Sequence, residues 1–465
     1  MAAVRYDDTL VSEVLSRFGD KELSSTAERH VRRCLNRASI SLEDKQEETR
    51  SWLKWARSKP TLKVVSSPVP VGVIPEGRRA ELHDVRVFTR GTPDDAIYDG
   101  NKEIREKVAR GNCVLEQLDG PEEGPSVLVF ALKKFTGGLG DDDDREEGDD
   151  LTWKRYFTKP IEEAAKVVAT RKANGEAAHF SVRKLAGEYV LCGGSKNVHM
   201  LFRTINDIER YTEPRFAVAR EVSEAILEAT NRIDEKIRLQ LFEFMSVTEL
   251  TAIFEILNPK HQHVEDLSYL KESELQFICW TSSELQPKEG HGLCCMPPHV
   301  GIEIARGFGL TCVPYEIIPS NEVDQRMLEV RQGYNFEGEV FYFLDEKDEV
   351  IGLLKKKTAW YILCRAIREK CRAAAQKSQK SPNGFSISQY IHKTEARISQ
   401  IKEWLSLENE TTEAWKNLGV KFLKWVIHNL DQRNISVTDV ADMFPVTWKK
   451  FLAETGETDN ISLAS

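Results

Sequence analysis

No run of eighteen or more apolar residues occurs anywhere in the sequence, so a membrane-spanning helix is not expected. Met1 to Arg17 mixes charged and apolar side chains without the apolar centre of a signal peptide. The nine cysteines (34, 113, 192, 279, 294, 295, 312, 364, 371) form no Cys-x-x-Cys pair and no regular spacing, which points to reduced thiols and a cytoplasmic or nuclear protein. No Gly-x4-Gly-Lys-[Ser/Thr] stretch appears, which excludes a built-in kinase of that type. Excess positive charge is missing too: a net charge of -9 argues against a general nucleic-acid coat protein and leaves room only for a local basic track.

What is there suits a globular chain. With 465 residues, 41% hydrophobic and 30% charged, two or three domains are expected. Apolar positions recur at helical spacing from 8 to 58, then Val64-Val65, Val69 to Ile74 and Val85 to Phe88 read as extended segments between Pro/Gly turns. These set a first segment, 1–90. Strands are expected around Val114 and Val127 to Leu132, led by Arg110 and running into Lys133-Lys134-Phe135. The run Asp141 to Asp150 has no apolar residue and reads as a solvated loop, with a divalent-metal site as the alternative. Helical patterning fills 215 to 250, and 275 to 318 reads as short strands and loops. His291, Cys294 and Cys295, with His261 and His263 upstream, could be imagined as a zinc site; adjacent cysteines rarely bind one metal together, so buried thiols and loop histidines are favoured.

The stretch Thr170-Arg171-Lys172-Ala173-Asn174-Gly175-Glu176 sits between Val167-Val168-Ala169 and an alternating segment from Ala178 to Val182, the pattern of a strand, a tight turn and a second strand. A lysine there can be a nucleophile if neighbouring cations or exclusion from water lower its pKa, and Gly175 permits close approach of a phosphate or base. Three further features stand in order. They are Gly193-Gly194-Ser195-Lys196, the apolar run Leu250 to Leu257 interrupted by Glu255, and Phe336-Glu337-Gly338 before the strand that delivers Lys355-Lys356-Lys357-Thr358-Ala359-Trp360-Tyr361. In a strand Lys355 and Lys357 share a face that Lys356 does not.

This order of Arg-Gly, Lys-Phe, Lys-Ala-Asn-Gly, Ser-Lys, Phe-Glu, Glu-Gly and Lys-x-Lys-Thr-x-Trp-Tyr resembles the covalent nucleotidyltransferases. Within them it is most similar to the phage tRNA-repair RNA ligase and the adenylyltransferase domain of fungal tRNA ligase. The resemblance covers about residues 108 to 361. It implies an α+β fold, a nucleotidyltransferase (ATP-grasp-like ligase) domain of antiparallel sheets with helices at 91–361, plus an all-α C-terminal domain at 362–465. It implies Lys172 as the nucleophile that takes AMP from ATP and Glu337 as the ligand of Mg2+ or Mn2+. Lys355 and Lys357 would lie on the α-phosphate and Arg110 and Lys134 on the outer phosphates, Glu255 would contact the nucleoside or a metal-bound water, and Lys196 would match a lysine of the nucleotide site in the segment after the nucleophile, with Gly175 close to the nucleotide. Glu243 competes with Glu255 for the role of the acid; the residues after Glu255, Ile-Leu-Asn-Pro-Lys, favour the latter.

From 355 to 380 nine basic side chains face one acid, Glu369, and Arg365, Arg368 and Arg372 share a helical face suited either to a phosphate backbone or to solvent. The reading is an ATP-dependent RNA ligase joining RNA 3′-hydroxyl and 5′-phosphate ends, tRNA among its candidate substrates. A capping-type guanylyltransferase and a non-catalytic nucleotide- or RNA-binding protein are the alternatives.

Overall fold

The computed structural model describes residues 8–18, 21, 23–38, 40–138, 141, 152–285 and 292–461. Three helices come first: α1 (Asp8–Ser16), α2 (Ser24–Ala38) and α3 (Leu42–Ser58). α3 starts at Ser41, whose hydroxyl accepts a hydrogen bond from Asp44 N and so satisfies one of the orphan amides of the first turn. Strands β1 (Leu62–Pro68) and β2 (Ala80–Val87), short helices α4 (Asp94–Gly100) and α5 (Lys102–Lys107), and strands β3 (Asn112–Gln117) and β4 (Gly124–Phe130) follow. The four strands form one antiparallel sheet in that order.

A boundary at residue 90 therefore runs through a sheet, because β2 pairs with β3 from Ala80↔Gln117 to Asp84↔Cys113. The first segment is not peripheral either. Val11, Val14, Val31 and Leu35 share a core with Phe180, Phe244 and Trp280.

β5 (Lys166–Arg171) and β6 (Glu176–Leu185) flank the Lys172 stretch but do not form the expected hairpin. β6 lies in a five-stranded antiparallel sheet with β7 (Glu188–Gly194), β8 (His199–Phe202), β9 (Thr251–Leu257) and β10 (Glu274–Thr281), ordered β10-β9-β6-β7-β8. Helices α6 (Ile205–Glu209), α7 (Ala217–Asn231) and α8 (Glu235–Thr248) intervene between β8 and β9 and cover this sheet. After helix α9 (Pro298–Gly307), in a region read from sequence as strands and loops, come β11 (Tyr315–Pro319), α10 (Val323–Arg331), β12 (Gly338–Leu344) and β13 (Val350–Lys357). β5 belongs with these, in a third antiparallel sheet ordered β11-β5-β12-β13.

The unbroken apolar run of β12 follows from burial on both faces. Val340, Tyr342 and Leu344 enter one core with Val168, while Phe341 and Phe343 enter another with Val167 and Ala169. The Lys172 stretch is thus a crossing between two sheets.

The C-terminal part is helical: α11 (Ala359–Lys380), α12 (Ile387–Leu405), α13 (Asn409–Asp431), α14 (Val437–Asp442) and α15 (Phe444–Thr455). α11 begins at its cap Thr358, which accepts from Tyr361 N at 3.0 Å, so a boundary at 361 cuts into the helix. Trp360 and Tyr361 are already part of the bundle core with Trp415, Phe422 and Trp448. Among the described residues no helix is long and apolar enough to cross a membrane. Cys294 and Cys295 are buried in separate cores, whereas His291 and residues 142–150 of the acidic run lie outside the described residues.

Candidate active site

Lys172 follows directly on β5, and its backbone N donates to Gly338 O at 2.9 Å, which seats it beside the start of β12. Glu337, the residue before that strand, is buried, and its Oε1 lies 2.9 Å from Lys172 Nζ and 3.7 Å from Lys357 Nζ. Gly338 is needed here: its φ is +154° and a Cβ would stand 2.0 Å from Lys356 O.

Asn174 is the clamp. Its Nδ2 donates to Glu337 Oε2 at 2.7 Å and to the Tyr361 hydroxyl at 3.2 Å, and its Oδ1 accepts from Val264 N and Glu265 N, both at 3.0 Å. Glu265 Oε1 in turn accepts from Glu337 N at 2.6 Å, and its carboxylate lies 3.7 Å from Arg171. Glu255 is delivered by β9, where its Oε1 accepts from Gly175 N at 3.2 Å. Gly175 serves packing rather than ligand approach in this arrangement, since a Cβ there would meet Ile256 O at 2.1 Å. Glu243, the rival acid, lies on α8 with Tyr189 and Lys184 as partners.

The electrostatics differ from the expectation that cations depress Lys172. Burial does favour its neutral amine, but Glu337, Glu255 and Glu265 outweigh that and hold the amine above the ordinary lysine range. Glu337 stays below the ordinary carboxylate range because Lys172 and Lys357 overcome its burial. Burial pushes Glu255 up to about 7, with Lys172 opposing and Glu337 reinforcing. Burial also pushes Lys357 down to about 8, helped by Lys355 and Lys172 against Glu337. Three carboxylates thus act on the charge of one amine, and Glu337 alone among them is in direct contact with it.

Strand alternation holds at β13. Lys357 turns to Glu337, while Lys356 lies 3.4 Å from Asp141, whose carboxylate also accepts from Lys357 N at 2.7 Å and Arg331 Nη2 at 2.8 Å. The first residue of the acidic run is thus a buried anchor for the lysine strand.

A second cluster of cations gathers at the start of α4. Asp95 Oδ1 lies 2.7 Å from Lys134 Nζ and 3.3 Å from Arg110 Nη1, and Asp94 pairs with Lys196. Burial would raise Asp95, but Lys134, Lys355 and Arg110 drive it well below the ordinary range. Arg110, Lys134, Lys196 and Lys355, scattered over some 245 positions of sequence, therefore converge on two adjacent aspartates. Sequence reasoning passed over Asp94 and Asp95; acids at the first turn of a short helix read as ordinary dipole partners.

The arginine face of α11 is not realised as a single surface. Arg368 is 5% exposed, donating from Nη2 to Ala441 O at 2.7 Å and from Nη1 to Glu369 at 2.8 Å, so it ties α11 to α14. Arg365 and Arg372 are half-buried on the same helix. Three-residue spacing places side chains together without saying which side the bundle covers.

The fold and site together define an antiparallel α+β domain with a lysine–carboxylate centre, closed on one side by a helical bundle. Residues 83–368 match a family described as a domain of unknown function (DUF7920), and the chain belongs to that family. A comparison with curated proteins gives no match. Among solved structures, two mutants of Naegleria gruberi RNA ligase with ATP and Mn are similar at 14% and 11% identity, each with a TM-score of 0.31. A third mutant of that ligase, with AMP and Mn, is similar at 13% identity and a TM-score of 0.30. The similarity covers 65% of this chain and 96–97% of those chains.

Proposed function

We propose that the protein is an ATP-dependent RNA ligase that works through a covalent adenylate on Lys172. The observation that carries this reading is a buried carboxylate, Glu337, shared by Lys172 at 2.9 Å and Lys357 at 3.7 Å, with Glu255 held on β9 of the other sheet by Gly175 N. Lys172 Nζ attacks the α-phosphorus of ATP. A nitrogen–phosphorus bond forms as the bond to the bridging oxygen breaks, and pyrophosphate leaves.

The amine must first give up its proton to solvent, and the carboxylate that opposes this is Glu337, in contact at 2.9 Å. Glu337 would hold Mg2+ or Mn2+; the cation when bound would neutralise the carboxylate that keeps Lys172 protonated and offset phosphate charge. Lys355 and Lys357 receive the α-phosphate, and Arg110, Lys134 and Lys196 exchange Asp94 and Asp95 for the outer phosphates. AMP then passes to the RNA 5′-phosphate, and the 3′-hydroxyl attacks and releases it. Arg365 and Arg372 remain for the RNA backbone, and tRNA is one candidate substrate.

The test is intact mass after incubation with ATP and magnesium. The wild type should gain one AMP, removed by acid and not by alkali, and Lys172→Ala should gain none. Label from GTP in place of ATP would instead indicate a capping-type guanylyltransferase, and nucleotide binding without covalent label would indicate a binding protein.

A further inference from the structure

Glu176, His261 and His263 come together at the base of the 258–265 loop. Their ligating atoms all lie within 4.8 Å of one another. His261 Nε2 is 3.5 Å from Glu176 Oε1, while its Nδ1 is 3.2 Å from Asp442 Oδ1 at the end of α14. The two imidazoles stand nearly perpendicular, at 82° with centroids 5.6 Å apart. His263 Nε2 is buried and makes no hydrogen bond among the described residues. A buried ring nitrogen without a partner has lost its hydration uncompensated, and a ligand at that position would restore it.

We propose that Glu176, His261 and His263 form a binding site for a zinc-class divalent cation, with Asp442 orienting His261. Two imidazoles and one carboxylate are a borderline donor set that favours Zn2+ over Mg2+ or Ca2+. In a tetrahedral site with bonds of about 2.1 Å, donors stand roughly 3.4 Å apart. The Glu176–His261 spacing already meets that, and the His263 ligand atom lies within 4.8 Å of both. Asp442 on the far nitrogen gives the carboxylate–histidine–metal arrangement that fixes ring orientation. Glu176 and His261 are about two-fifths exposed, which leaves an entry route and an open fourth position.

The site joins three segments. Glu176 follows the nucleophile stretch, the histidines precede the Val264 and Glu265 amides that hold Asn174, and Asp442 belongs to the bundle, with its carbonyl accepting from Gln262 N at 2.6 Å. A cation there pins the bundle to the loop behind Lys172.

Co2+ titration of the full chain tests this, read by visible d–d absorption, with Zn2+ as competitor. We expect one equivalent of Co2+, displaced by Zn2+ and indifferent to millimolar Mg2+. Affinity should fall more than tenfold in His263→Ala and in the size-preserving Glu176→Gln, and about 10–100-fold in Asp442→Asn. Circular dichroism shows whether each variant is folded, and Glu176→Gln decides the matter if His263→Ala is not. A wild type that binds neither ion at micromolar concentration, or a folded variant that binds as the wild type does, overturns the proposal. The readout uses no nucleotide, so it stands or falls apart from the ligase reading.

Discussion

Asn174→Ala is the substitution that probes the site most directly. The side chain is 4% exposed and makes four hydrogen bonds. Truncation leaves the Val264 and Glu265 amides without acceptors, at about 1–3 kcal/mol each, and removes one donor from an ionised carboxylate, about 1.5–3 kcal/mol more. Allowing for water entering the gap, the expected loss is about 3–5 kcal/mol in the unit that contains the site. Urea unfolding followed by tryptophan fluorescence and circular dichroism measures it. Asn174→Asp separates the two halves of the clamp: it keeps an acceptor for the amides but sets a second carboxylate against Glu337 Oε2. One of the two acids then binds a proton more tightly in the folded state, so the variant should be least stable above neutral pH and recover as pH falls. An Asn174→Ala protein within about 0.5 kcal/mol of wild type would show that these bonds are replaced at no cost and would refute the clamp.

Glu255 gives a pH-dependent prediction. Its folded-state pKa is raised to about 7, so its contribution to stability is fully present below the unfolded glutamate range and is lost as pH rises through 7. Glu255→Gln should therefore gain on wild type by up to about 3 kcal/mol at pH 8, with the difference vanishing near pH 4, as read from paired urea titrations. Asp95→Asn removes the anion between Lys134 and Arg110, so ATP should bind several-fold more tightly at low salt, with the advantage shrinking at high salt; equal affinity at all salt concentrations in a nucleotide-binding assay would contradict the phosphate role of that cluster.

The helical ends and most strands were legible because their apolar periodicity is strong, and the charged residues that meet at Glu337 were legible as an ordered series. What escaped was non-local. The partner of β2 lies beyond two short helices, and nothing in composition marks that pairing, so a boundary at 90 read naturally and divides a sheet. β5 and β6 have the local pattern of a hairpin, and only the strands that arrive later, β12 and β9, decide that they separate. Glu255 and Glu243 both interrupt apolar runs; packing distinguishes them, because one carboxylate is turned to Gly175 N and the other to Tyr189. Arg368 shows the limit of helical spacing, and Asp94 with Asp95 the limit of reading cations without their counter-charges. The charge state of Lys172 escaped for the same reason, since acids outnumber the cations that sequence alone had emphasised.

The separation of β5 from β6 also bears on motion. Lys172 and Glu337 travel with the sheet that holds β12, whereas Glu255 and Gly175 travel with the sheet that holds β9. Any rocking of one sheet against the other changes the gap between the amine and Glu255 while leaving the Lys172–Glu337 spacing intact. The crossing from Lys172 to Gly175 is thus the fulcrum of a caliper whose jaws bear different partners of one amine.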